Sequence, residues 1–262
     1  TACISASLLQ SVTYATKIFP DLPVLPIPLV ILIVIVVGGI VGWVNGFFVA
    51  KFHLHPFIVT LATQLIVYGI LLMYIMLNGN NGQPLSGLDK SFKDFVTGSF
   101  LKIRGVPIPN YVWYACVVVV FMWFMWNKTT FGKYLYAVGG NPEAAAVSGI
   151  SVFAITLCAF VMAGVLYGFG SWLECIRMVG SGSAAYGQGW DMDAIAACVV
   201  GGVSFTGGIG KISGVVTGVL IFTSLTYSLT ILGIDTNLQF IFEGIIILAA
   251  VTLDCLKYVQ KK

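Results

Sequence analysis

Apolar side chains run through this sequence in long blocks free of charge, separated by short polar punctuation. No Asp, Glu, Lys or Arg occurs in the 29 residues between Asp21 and Lys51, the 23 between Arg104 and Lys128, the 30 between Glu143 and Glu174, or the 23 between Lys211 and Asp235. A helix that crosses a bilayer needs about 20 mostly apolar residues, so each block is long enough. The runs and their punctuation predict seven spans, at residues 28–50, 56–77, 111–126, 150–172, 191–205, 214–232 and 237–253. The fifth is short and broken by glycine, and the seventh contains Glu243. Residues 1–15 read as the inner part of one more apolar helix, with no basic n-region or cleavage site, so further spans are expected upstream of Thr1.

Composition fits that pattern. Hydrophobic residues fill 58% of the 262 positions and charged ones 9%, with a mean hydropathy of +0.98; soluble domains carry about 25% charged residues. So few ionisable groups cannot cover a water-facing surface of this size, and lipid must cover much of it. The fold class expected is all-α, a polytopic transmembrane helical bundle forming a single membrane domain over residues 1–262. A net charge of +3, small and scattered, does not point to a nucleic-acid surface. Cys116, Cys158 and Cys198 lie inside apolar runs, where thiols act as small hydrophobes, so no disulfide framework is expected.

Lys and Arg are retained on the cytosolic side of short loops. Loops on the side of the C-terminal tail hold Lys51, Lys128, Lys133, Lys211, Lys257, Lys261 and Lys262; the other side holds Lys17, Lys90, Lys93, Lys102, Arg104 and Arg177. Four of the latter fall in the one long connection, residues 78–110, where the rule weighs little. The C-terminus is therefore expected in the cytosol.

Small residues recur at helix-packing spacing. Gly38, Gly42 and Gly46 form one stripe, Gly210, Gly214 and Gly218 a second, and Gly164 with Gly168 a shorter one. Such faces let helix backbones approach closely in lipid. Packing seams are the plainer reading, and lining of a pathway is the other. The two long stripes also hint at an internal repeat of the kind found in transporters.

Groups for bond chemistry are scarce. His53 and His55 share one loop without Cys or carboxylate neighbours, a poor metal set. Gly210-Lys211 is followed by Ile212 and lacks the glycine of a phosphate-binding loop. Glu243 is the one acid well inside a predicted span, where a structural and a functional role are both open. No catalytic residue, metal or cofactor is expected, and ATP should not be hydrolysed by this chain.

Residues 127–149 are more informative. Gly139 and Gly140 make a break, Asn141 is a good N-cap, Pro142 suits the first helical position, and Glu143 favours the positive helix end. Ala144, Ala145 and Ala146 propagate a helix that Ser148-Gly149 stops. A two-turn peg of this kind is too short to stand alone and must dock. Docking on its own bundle and insertion into a cytosolic partner both fit.

The stretch Tyr136-Ala-Val-Gly-Gly-Asn-Pro-Glu-Ala-Ala-Ala-Val-Ser-Gly-Ile150 resembles the cytosolic coupling-helix motif in permease subunits of bacterial ABC sugar importers, in the ribose and galactose branch. Asp193-Ala-Ile-Ala-Ala-Cys-Val-Val-Gly-Gly-Val-Ser-Phe-Thr-Gly-Gly-Ile-Gly210, Asn45-Gly46, Pro56-Phe-Ile-Val-Thr60 and the end Leu253-Asp-Cys-Leu-Lys-Tyr-Val-Gln-Lys-Lys262 extend the likeness over essentially the whole chain. Glu243 departs from it, since that branch is associated with a basic residue there. The resemblance implies a type II importer fold like that of cobalamin importers, in a bacterial inner membrane. Two permease copies would surround the path, a periplasmic sugar-binding protein would deliver the cargo, and a cytosolic ABC ATPase would grip residues Gly140, Asn141, Pro142, Glu143, Ala144 and Ala145. The implied cargo is a monosaccharide, galactose or a methyl-galactoside. Few polar side chains lie in the spans beyond Thr60, Thr63, Gln64, Ser224, Thr226 and Ser228, so tight capture is expected of the binding protein.

An ion-coupled secondary sugar carrier is the rival reading, and it would transport without any ATPase. For the orientation, a reporter fused after Lys262 is expected to read as cytosolic; an extracytoplasmic readout overturns the map.

Overall fold

The computed structural model describes residues 1–11, 17–19, 22–103, 105–177, 182–184, 187–204 and 206–259. The expectations for residues 12–15, Asp21, Arg104, Phe205, Lys261 and Lys262 lie outside the described residues. In chain order the helices are α1 (Ala2–Leu8), α2 (Ile27–Phe52), α3 (Pro56–Ile75), α4 (Lys90–Thr97), α5 (Asn110–Lys128), α6 (Thr130–Gly140), α7 (Pro142–Val147), α8 (Val152–Arg177), α9 (Trp190–Val200), α10 (Ile212–Ile231) and α11 (Thr236–Val259). An antiparallel pair, β1 (Leu101–Ile103) and β2 (Val106–Ile108), lies between α4 and α5. The chain divides into two compact units, Thr1–Val117 with Phe153–Tyr186, and Val118–Val152 with Gly187–Lys262.

In the first unit, proline sets where two long helices begin. Pro28 lies in the first turn of α2 and Pro56 in that of α3, where the missing N–H is no loss. Between them His53 takes the left-handed conformation, φ 53°, which ends α2 and reverses the chain. Gly38, Gly42 and Gly46 then present one buried face of α2 to α8. A Cβ at Gly38 would lie 2.2 Å from the Gly164 carbonyl oxygen, one at Gly42 2.3 Å from that of Phe160, and one at Gly168 2.4 Å from that of Val34. The two backbones touch, as helices held together in lipid require.

One end of this unit carries its tightest core. Leu9 next to α1, Leu85, Phe92 and Val96 around α4, and Trp172 of α8 are all buried. The Phe92 and Trp172 rings meet edge to face at 5.7 Å. Residues 78–110 are thus a folded cap built on α4 and the β1–β2 pair.

In the second unit, α9 crosses α10 at glycine. A Cβ at Gly214 would lie 2.2 Å from the Gly201 oxygen, and one at Gly218 2.1 Å from that of Ala197. Ala196, Ala197 and Phe222 form a small core against which Ile247 of α11 packs. Gly210 stands outside this seam, in the loop before α10, where a Cβ would meet the Val203 side chain at 3.3 Å.

Among the described residues five helices, α2, α3, α5, α8 and α10, are long and apolar enough to cross a membrane, where seven spans were expected. The predicted fifth span, 191–205, is the 11-residue α9. At 1.5 Å per residue it reaches about 16 Å, roughly half a hydrocarbon core. Glycines at positive φ bracket it, Gly189 at 84° and Gly202 at 82°, and they set its length. In α11 the described apolar stretch is Asn237–Ala249, within a helix of 24 residues. Outward faces are strongly apolar, with Leu65 73%, Met73 74% and Leu220 63% exposed, as a lipid-facing surface must be.

Gly38→Ala or Gly164→Ala is expected to lower stability by about 1–3 kcal/mol, the cost of overpacking a closed contact, read from the midpoint of SDS unfolding in micelles. Gly69→Ala in α3, where a Cβ meets open space, is expected to be neutral or stabilising in the same assay.

Candidate functional site

The second unit carries an outward peg whose local chemistry is fully resolved. At the end of α5 the Thr129 hydroxyl donates to the Met125 carbonyl at 2.5 Å and accepts the Gly132 N–H at 3.3 Å, capping α6. The bend needs Gly132, because a Cβ there would lie 2.1 Å from the Trp126 oxygen. After Gly140 the chain extends at Asn141, φ −155° and ψ 101°, and re-enters helix as α7. Asn141 Oδ1 accepts the Ala144 N–H at 3.0 Å, with Pro142 and Glu143 in the first turn. The far end closes as a Schellman motif: Ile150 N–H donates to the Ala145 oxygen and Gly149 N–H to that of Ala146, both at 3.0 Å, with Gly149 at φ 82°.

The six residues expected to meet a partner divide. Gly140, Asn141, Pro142, Glu143 and Ala144 are exposed, but Ala145 is only 4% exposed. Its place on the inner face of α7 removes it from the outward surface, a correction set by how α7 packs. Val147, at 91% exposed, presents an apolar tip instead.

The peg is seated through α6. A Cβ at Gly139 would lie 2.8 Å from the Gly208 nitrogen, one at Gly207 2.5 Å from the Gly139 oxygen, and one at Gly208 2.7 Å from the Gly140 Cα. Tyr136 Oη donates to the Gly210 carbonyl at 2.5 Å. The receiving loop is closed on itself, Ser204 N–H donating to the Ile209 oxygen at 3.0 Å and the Ser204 and Thr206 hydroxyls lying 2.8 Å apart. That loop joins α9 to α10, so the carrier of the peg rests on the glycine-crossed helix pair.

Tyr136, Gly207 and Gly208 had no assigned role in the sequence, although each lies inside a quoted motif. Nothing in spacing pairs residues some seventy positions apart. Elsewhere the span hydroxyls bond their own helices: Thr60 to Pro56, Thr226 to Phe222 and Ser228 to Ser224. Glu243 is half-buried on α11, and His53 and His55 are exposed at the α2–α3 turn. Among the described residues no three His, Cys, Asp or Glu gather as a metal set. What this arrangement can transmit is displacement.

Apolar spans with a capped, exposed peg seated on glycine backbone describe a multi-pass membrane permease. The profile of the family described as branched-chain amino acid transport system / permease component matches residues 2–251, and the chain belongs to that family. It is 47% identical over 261 residues to the galactose/methyl galactoside import permease of Escherichia coli, covering 100% of this chain and 76% of that protein. Against the permease of the same name from Salmonella typhimurium the identity is 48%, with the same coverage. The ribose import permease of Bacillus subtilis is 37% identical over 212 residues, 80% of this chain and 62% of that one. The likeness to sugar-importer permeases drawn from the motifs is borne out. No solved structure matches the chain.

Asn141→Ala removes a cap worth about 1 kcal/mol. Hydrogen exchange of the amides at 143–148 is therefore expected to quicken about fivefold, with α2 and α8 unchanged.

Proposed function

We propose that this chain is the permease subunit of an ATP-binding-cassette importer that moves a monosaccharide, galactose or a methyl galactoside, across a bacterial inner membrane. Two relatives bearing that name align along the entire chain, which supports the cargo assignment. The observation that carries the mechanism is the seat of the peg: α7 is exposed on its outer face while α6 lies backbone to backbone on the α9–α10 loop.

In this reading a separate ATPase grips Gly140, Asn141, Pro142, Glu143 and Ala144, with Val147 filling an apolar hollow. Closure of the nucleotide domains displaces α7. Because Gly139 and Gly208 leave no compressible side chain between them, the loop at 204–210 moves with α6 and tilts α9 against α10. Two copies in a type II importer arrangement would turn that tilt into opening at one end of the path. A soluble sugar-binding protein supplies cargo on the opposite face, and Lys128, Lys133 and Lys211 keep the peg face and the C-terminus in the cytosol.

A cysteine at Ala144 (Ala144→Cys) in an otherwise cysteine-free chain is expected to crosslink to the cognate ATPase, and Gly208→Ala to leave ATP hydrolysis by the assembled importer while cutting sugar uptake at least tenfold. If no crosslink forms in any nucleotide state, or if uptake persists without the ATPase on an ion gradient, the reading fails.

A further inference from the structure

Within the second unit, α5 and α10 leave a groove of about 370 Å³ between them, lined by Val119, Val120, Trp123, Ile212, Ser213, Val216 and Thr217. Its volume falls in the range of small-molecule sites, about 300–1,000 Å³. α6, which follows α5, rests on the loop that precedes α10, so the C-terminal end of α5 and the N-terminal end of α10 lie on one side, with Trp123 and Ile212 toward it. The chemistry along it is polarised. Beyond Trp123 stands Lys128, whose ammonium lies 5.9 Å from the Trp123 ring centroid. Beyond Ile212 stands Lys211, the N-terminal flank of α10, and no side chain caps the first N–H groups of that 20-residue helix. Both lysines are exposed, and among the described residues neither pairs with a carboxylate. No acid lines the groove.

A groove that is hydrocarbon-like along its length and doubly cationic at one mouth has the polarity of an amphiphile with an anionic head. We propose that it binds one anionic phospholipid, with an acyl chain along Val119, Val120 and Val216 and the phosphate at the mouth formed by Lys128, Lys211 and the first turn of α10. A phosphodiester would satisfy the open N–H groups, complement the positive end of the helix and neutralise both lysines. Trp123, amphipathic and stacked beneath an ammonium, is the residue type that sits at the headgroup level. A second copy of the chain entering the groove would have to cover two unpaired ammonium groups, and a zwitterionic lipid would bring its own cation to the same mouth. The charges therefore select an anionic headgroup over both. The assignment does not depend on the cargo, nor on which leaflet the mouth faces.

The test is native mass spectrometry of the full chain released from nanodiscs holding equal parts phosphatidylglycerol and phosphatidylethanolamine. One retained phosphatidylglycerol is expected. Lys128→Gln combined with Lys211→Gln should cut its retention at least tenfold, each lysine near a membrane surface contributing about fivefold. Val216→Trp, which fills the groove and leaves both lysines, should cut it as well, while Lys51→Gln at the end of α2 should not. Matching thermal midpoints separate these effects from misfolding. Equal retention of the two lipids overturns the proposal, and so does phosphatidylglycerol retention that survives the double lysine change. Efficient crosslinking between two chains carrying Val216→Cys would give the groove to a second copy and overturn it too.

Discussion

In hydrocarbon an apolar side chain gains nothing by leaving lipid for a neighbouring helix, so helices associate where their backbones can come within van der Waals reach. The glycine seams obey that constraint. Gly38 and Gly42 admit the backbone of α8, Gly201 and Gly214 admit each other, and Gly139 meets Gly207 and Gly208. A single methyl at most of these positions would lie within 2.9 Å of a backbone atom. Side chains elsewhere on these helices, such as Leu32 of α2 and Leu220 of α10, can then be wholly apolar and exposed.

The peg shows two scales of stabilisation working together. Asn141 and the Gly149 closure satisfy the ends of α7 locally, but six residues lie far below the 12–15 or so at which an isolated helix becomes even marginal. What holds α7 in place is α6, and α6 is held by glycine contact and by the hydroxyl of Tyr136 on Gly210. The local caps decide the shape of the peg, and the seat decides where it points. A rigid seat is also what a transmitted displacement requires, since soft side chains between α6 and the α9–α10 loop would absorb the movement.

Poverty in reactive groups has a counterpart in the hydrogen bonds. Hydroxyls at Thr60, Thr226 and Ser228 donate to carbonyls of their own helices, which satisfies them without any partner across the bundle. Lys128 and Lys211, at the ends of α5 and α10, are exposed and have no carboxylate partner among the described residues.

The membrane character, the starts of α2 and α3 at proline and the capped peg at 142–147 were all legible in the sequence, since each depends on residues close together in the chain. Apolar runs, an N-cap and a glycine stop act over a few residues whatever surrounds them. Family membership was legible for a different reason, as the motif around Asn141 and the one ending at Gly210 are specific. The length of α9 was misread because hydropathy alone does not register where glycines at positive φ bring a helix to its end. Only the tertiary structure placed Ala145 on the inner face, took Gly210 out of the α10 stripe, and set Tyr136, Gly139, Gly207 and Gly208 together. Those outcomes depend on which backbones approach one another across some seventy residues of chain, and a periodicity that identifies a packing face carries no information about its partner.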